Sequence, residues 1–388
     1  MKYRGNRWNR STDRLSTGSS IARLASQRSV SVGVICATAL LAFGCGSDSN
    51  SPSQKRTDDT DWELPELSAE EGFSLRVPTF EVPAGHEEQS CFFLPVPDLN
   101  DGEDFWVNRV SMAMNEGSHH MNIFRVRTLI GLRPEDGEPV KMGPYDATVI
   151  RGHDDYGNSP CWQSANWGDW PLVANTEVPR PPDWNLPDGV AMRFTPGEML
   201  MVQTHYVNTE VQPTPSGTGK VGINLHRTDQ TDIQELATLF ATQQNIRICR
   251  ADPIPLYSGT CKFPGNVTIT AANGHFHSRG KTFSMFTWDG MSTDHPPDDD
   301  RFYVSHSWNH PPMATNIERP VPDGGGIWWD CFYQWKAPLF GCDTVDAKDP
   351  EKAGDCCYTF GGNTDVGEHC NVFLYYYPKV ADTDVFCN

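Results

Sequence analysis

Almost nowhere in this 388-residue chain do apolar residues recur at the spacing of a helix. From about Phe73 onward the texture is short runs rich in Val, Ile, Phe, Tyr and Thr, such as Phe73–Val77, Phe105–Val107 and Met121–Val126. Gly, Pro, Asn and Asp separate these runs, and 30 Pro and 33 Gly spread along the chain supply the turns such runs need. The expected fold is therefore all-β, with antiparallel strands in two β-sandwich (jelly-roll) domains in tandem. Asp232–Phe240 is the best short candidate for a helix. A domain boundary is expected between His226 and Ile246, giving an N-terminal domain over 71–240 and a C-terminal one over 241–388, each of ordinary domain size.

The first 45 residues have the character of an export signal. Residues 1–28 carry one Lys and six Arg against a single acid, Asp13. Val32–Gly44 is then an apolar core too short to span a bilayer comfortably as a helix. It ends in Leu41-Ala-Phe-Gly-Cys45, which resembles a bacterial lipoprotein cleavage box with Cys45 as the lipidated residue; a plain secretory signal is the alternative. Residues 46–70 form a flexible linker, polar at least as far as Pro65. The protein is thus expected on the cell envelope (outer membrane or periplasmic face), touching the membrane through the Cys45 anchor alone, or secreted if Cys45 is not lipidated.

Charge narrows the partners. Beyond Cys45 the chain has 24 Lys plus Arg against 49 Asp plus Glu. So acidic a surface repels nucleic acid and anionic headgroups and suits a divalent cation or a neutral or cationic small molecule. The chain is read as a monomer. Ten cysteines follow Cys45, at 91, 161, 249, 261, 331, 342, 356, 357, 370 and 387. An even number in an exported chain points to disulfides, and the lack of any Cys-x-x-Cys pair argues against a zinc ribbon. Adjacent Cys356 and Cys357 are expected to take different partners.

The histidines carry the chemistry. In Asn273-Gly-His-Phe-His-Ser-Arg-Gly-Lys281, at or near a strand end, His275 and His277 share a face with Phe276 turned away. Two imidazoles so placed can grip one borderline-soft ion such as copper or zinc. Adjacent His119 and His120 face opposite ways on a regular strand and reach one ion only if the backbone kinks. With His205, in Met199–Asn208, they make a candidate three-imidazole site, and His369 in Gly367–Tyr377 is placed to join His275 and His277.

Together these segments resemble the copper type II, ascorbate-dependent monooxygenases, the group containing peptidylglycine α-hydroxylating monooxygenase and dopamine β-monooxygenase. The motifs stand here as His119-His-Met121, His205-Tyr206, His275-Phe-His-Ser-Arg-Gly-Lys281 and Glu368-His-Cys-Asn371, in the family's order, and the resemblance covers about residues 73–388. It implies two copper ions, one per jelly-roll domain. His119, His120 and His205 would hold an electron-storing copper. His275, His277 and His369 would hold the copper that activates dioxygen beside a small-molecule or peptide substrate, with electrons from an external donor such as ascorbate. It also implies a Cys331–Cys370 disulfide.

The chain departs from that family at informative positions. His369 stands where the family has Met; a thioether favours Cu(I), whereas imidazole suits Cu(II) and also Zn(II). Met285, Met291 and Met313 are the methionines that could replace the missing sulfur. Asn273, Asn371 and Phe373 occupy positions where peptide-amidating members hold the substrate carboxylate with Arg, Asn and Tyr, so peptidylglycine is a poor fit and these three are carried as candidate substrate-binding residues. The expected activity is hydroxylation of an aliphatic C–H bond. The alternatives are a non-catalytic copper-binding surface protein of the same fold, and a zinc hydrolase at His275, His277 and His369 with Glu368 as base.

Overall fold

The computed structural model describes residues 63–388 except 116, 128–139, 143–146, 152–169, 209–216, 350, 352 and 382–383. Cys45, Cys161 and the leader lie outside them. The described residues fall within one compact unit, Arg56–Asn388.

The fold is all-β. In the N-terminal half two six-stranded sheets face a common core. The first runs Gly72–Val82, Gly217–Thr228, Phe105–Met114, Val190–Phe194, Gln234–Glu235, with Trp184–Asn185 attached to Phe105–Met114. The second runs Val140–Met142, Ala147–Arg151, Glu87–Pro95, Met199–Val207, Ser118–Val126, Leu172–Thr176. Phe80 of the first sheet meets Phe92 and Tyr206 of the second at ring separations of 5.6 and 5.1 Å, a sandwich contact. Residues Leu64–Leu67 are already tied down: Arg76 donates to the Leu64 and Pro65 carbonyls, and Ser74 Oγ accepts from the Leu67 amide. Part of the stretch expected to be a flexible linker is therefore held against the first sheet.

In the C-terminal half a five-stranded sheet runs Ala314–Val321, Val267–His275, Asn371–Tyr377, Ala237–Thr242, Val385–Cys387. A four-stranded sheet (Leu256–Lys262, Gly326–Tyr333, Gly280–Trp288, Arg301–Ser305) shares a second core with it. The stretch expected to be helical contains two strand segments, Gln234–Glu235 and the start of Ala237–Thr242, and no helix. Ala237, Leu239 and Ala241 are buried on one face, and the segment pairs antiparallel with Asn371–Tyr377. A nine-residue helix is marginal in water, whereas this segment's period-2 pattern fits an open sheet position. Ala271, Phe373 and Tyr375 of the five-stranded sheet belong to the first core, so the halves meet on an apolar seam.

Four disulfides lie in the C-terminal half: Cys249–Cys357, Cys261–Cys387, Cys331–Cys370 and Cys342–Cys356. Cys91 is also disulfide-bonded. Cys356 and Cys357 do take different partners, and Cys331–Cys370 forms as the resemblance implied. Bonds of this number mark an oxidising compartment, as for an exported chain. Among the described residues no helix is long and apolar enough to cross a membrane.

Candidate metal centre

The six expected histidines converge at the seam between the halves. Strand Met199–Val207 pairs with Ser118–Val126 so that His205 lies directly opposite His120. The next pair is Tyr206 with Ser118, leaving His119 as an extra residue, a β-bulge. This is the kink two adjacent histidines need. The rings of His119, His120 and His205 lie 4.9–5.1 Å apart between centroids.

From the other half, Val267–His275 ends as it delivers His275, and His277 follows just beyond. His275 pairs with Asn371 and Asn273 with Phe373, which puts all four on one sheet face. His369 sits in the break between Gly367–Glu368 and Asn371–Tyr377 rather than on a continuous strand. Its position is fixed from two sides. Tyr333 donates its hydroxyl hydrogen to the His369 carbonyl, and the next residue, Cys370, is held by its disulfide.

Two donor groups result. His275, His277 and His369 each offer a ligand atom within 4.8 Å of the others, as does the set His119, His120, Glu177 and His275. The second trio expected from sequence is therefore brought together. In the other group His275 and Glu177 stand with His119 and His120, and His205 falls outside both groups. His205 Nε2 hydrogen-bonds the Glu87 carboxylate, which also accepts from the Thr364 amide and hydroxyl, and this leaves Nδ1 buried without a hydrogen-bond partner.

Glu177 is the residue that sequence reasoning missed. It follows the strand Leu172–Thr176, is 1 % exposed, and sets Oε2 3.0 Å from His275 Nδ1, while Oε1 finds no partner. Nothing in Leu172-Val-Ala-Asn-Thr-Glu177 announces a ligand. The one available signal is an acid closing an otherwise uncharged strand-like run.

Buried polar atoms are normally paired, and unpaired ones cost about 1–3 kcal/mol each. Here His119 Nε2, His120 Nδ1, His205 Nδ1, His277 Nε2 and Glu177 Oε1 are all buried and lack partners. Burial, reinforced by repulsion among the imidazoles, holds His119, His120, His277 and His369 well below the ordinary histidine range, so they are neutral with lone pairs available. The His277 tautomer is set by Nδ1–H donating to the Gly367 carbonyl at 3.1 Å, which directs the lone pair to Nε2. Cations held by the two donor groups would satisfy His119 Nε2, His120 Nδ1 and the Glu177 carboxylate in one and His277 Nε2 in the other, whereas His205 Nδ1 lies outside both. The donors, imidazole with one carboxylate, suit a transition metal rather than calcium or magnesium.

Glu368 orients the His275–His277 loop. Its carboxylate accepts the backbone N–H of His277 and of Arg279, each at 2.9 Å, and pairs with the Arg279 guanidinium. Both oxygens are occupied, so Glu368 does not stand ready as a general base. Of the methionines, Met285 is in the core, Met291 is exposed, and Met313 is partly buried beside the first core. Trp308 lies 5.7 Å from His119 between ring centroids.

A cleft opens beside the histidines. His120, His275 and His369 form one wall; Phe124, Phe240, Phe360, Phe373 and Phe386 form the rest, with amides and a hydroxyl from Asn122, Gln203, Gln244, Asn371 and Thr242. Among the described residues no Lys, Arg, Asp or Glu lines it. Asn371 and Phe373 are thus at the cleft. Asn273 is not: its amide is taken up by Asn175 at 3.2 Å and the Pro312 carbonyl at 3.2 Å.

No family model matches the chain, and no curated protein does. Among solved structures it is similar to the major capsid protein P2 from bacteriophage PM2, at 9% identity and a TM-score of 0.28, over 80% of this chain and 98% of that one. It is also similar to the infectious bursal disease virus VP2 subviral particle, at 9% identity and a TM-score of 0.16, over 82% of this chain and 79% of that one. Scores this low carry no argument about the protein.

Proposed function

We propose that this chain is an exported copper-dependent monooxygenase that hydroxylates an aliphatic C–H bond of a neutral small or peptidic substrate, using dioxygen and an external reductant. The observation that carries the reading is the set of buried donor atoms without partners, built from the motif histidines and opening onto a phenylalanine-lined cleft. Copper bound there would supply one-electron redox chemistry and a place for dioxygen.

The protein's own contribution is positioning and exclusion of water. Phe373 stacks on Phe240 at 5.3 Å and walls the cleft next to His275. Such a surface desolvates an apolar substrate and repels a charged one. Asn371 Oδ1 is buried without a partner and accepts an N–H or O–H of the substrate. The Glu368–Arg279 latch and the Cys331–Cys370 bond keep His277 and His369 from moving when the substrate enters.

A second reading is a copper-holding surface protein without turnover. It is favoured by the all-imidazole set at His275, His277 and His369, where a sulfur ligand would favour the reduced ion. A zinc hydrolase fits less well, because the carboxylate next to His369 is bound to Arg279 and two amides.

The test is oxygen consumption. Copper-loaded protein is reduced anaerobically with ascorbate, then mixed with oxygen and a panel of uncharged amides and aromatic compounds. Substrate-dependent uptake with hydroxylated product supports the proposal. Uptake no greater than that of free copper across the panel removes the monooxygenase reading and leaves the metal-holding one.

A further inference from the structure

We propose that His275 serves two metal ions at once, one on each ring nitrogen, so that the centre is a closely spaced pair bridged by a single imidazole. This rests on the metal-site reading above and goes beyond it. An arrangement of one ion per domain would use His275 for one ion alone.

His275 is common to both donor groups, and it is the hub of the cluster. Its ring lies 5.3, 5.0, 5.2 and 5.1 Å from those of His119, His120, His277 and His369. The two nitrogens look in different directions. Nδ1 is 3.0 Å from Glu177 Oε2, on the side of the first group. Nε2 is 3.1 Å from His369 Nδ1, on the side of the second.

Those separations have a metal interpretation. Two ligands each about 2.0–2.1 Å from one ion are about 2.9–3.4 Å apart at angles between square and tetrahedral. Both contacts fall in that range, one on each face of the same ring. The other donors divide the same way. His119 Nε2, His120 Nδ1 and Glu177 Oε1 are partnerless on the first side, and His277 Nε2 on the second. Each ion would thus have three or four protein donors including a nitrogen of His275, the second ion replacing the proton that nitrogen otherwise carries. Metal–nitrogen bonds of this length on both sides of an imidazole put the ions about 6 Å apart. The competing arrangement is a hydrogen-bonded chain, Glu177 to His275 to His369, with no bridge.

Copper titration of the chelator-stripped mature protein decides between them, read by bound copper per chain and by electron paramagnetic resonance. A bridged pair gives two coppers per chain, a main signal that shrinks rather than doubles as the second ion enters, and a half-field line. Two coppers with two full independent spins, or one copper only, overturn the bridge while leaving a metal site. No bound copper overturns the metal reading itself. Two variants sharpen the assignment. His369→Ala is expected to keep one copper with a full, isolated spin. His275→Ala is expected to weaken both ions at least tenfold, whereas loss of one ion with the other unchanged contradicts a shared ligand. Should His275→Ala fail to fold, Glu177→Gln takes its place: it preserves shape, and the bridge predicts that the first ion weakens while the second stays.

Discussion

Stripping the metal and lowering the pH from 7 to 5.5 is expected to destabilise this protein by up to about 5 kcal/mol. His119, His120, His277 and His369 are buried, and burial holds each well below its ordinary value. In the unfolded chain each titrates near 6.5, so as pH falls the unfolded state binds protons that the folded state refuses. The stability they lend is present above about pH 6.5 and is lost as the solution is acidified. Integrated from pH 7 to 5.5 with all four kept neutral in the folded state, the cost is at most about 5 kcal/mol. That is comparable with the whole stability of many domains, about 5–15 kcal/mol. Glu87, held low mainly by its pairing with His205 against the cost of burial, loses its contribution only in the carboxylate range, below this window. Glu368 and Asp365 are pushed up by burial and oppose the trend, so the net slope is somewhat shallower. Urea titrations of chelator-treated protein at several pH values measure the effect. Stability that stays flat or rises on acidification would show that the imidazoles protonate in place, and the closed, neutral cluster would be wrong.

Other perturbations act on the supports of the site. Replacing Cys370 with Ser opens a cross-link of sequence separation 39 and should cost about 4 kcal/mol by loop entropy, with weakened copper binding because His369 is its neighbour; equilibrium unfolding and metal titration check both. Gly274 has the Phe283 ring 2.5 Å from where a Cβ would sit, so Gly274→Ala should cost about 1–3 kcal/mol and lower metal affinity by displacing His275. Phe373→Ala, which empties a buried side chain at the cleft, should cost about 3 kcal/mol and raise the KM for any apolar substrate more than it lowers bound copper. Glu368→Gln should leave copper stoichiometry intact yet loosen the His277 loop, seen as faster amide exchange at His277 and Arg279.

How much of this was legible in the sequence depended on whether the relevant pattern was local. Strand alternation is local, so the all-β architecture could be read directly. It failed at Asp232–Phe240, where the period-2 pattern of Ala237, Leu239 and Ala241 was short enough to pass for a helical face. The histidine motifs were legible because each has its own local spacing. The bulge at His119 was not, since it depends on the register with Met199–Val207, though two adjacent histidines could be seen to need one. Convergence of both sets at one seam was hidden entirely. It follows from Ala271, Phe373 and Tyr375 packing into the opposite half's core, a long-range contact that no window of sequence contains.

Glu177 changes what His369 means. Read from sequence, two three-histidine sites would be alike, and a two-ion enzyme that stores electrons at one site and uses them at another needs its sites to differ. The structure supplies a difference from another place: one donor group contains a buried carboxylate and the other offers imidazoles alone. An anionic oxygen ligand favours the more highly charged, harder ion, and a neutral nitrogen set favours it less. On the proposed copper reading, the asymmetry that a sulfur ligand at position 369 would give is supplied instead, in the same direction, by a carboxylate in the other donor group. Glu177→Gln removes the charge while keeping the shape, so on this argument it should bring the two copper potentials together, and a redox titration in which they stay as far apart as before would deny Glu177 that role.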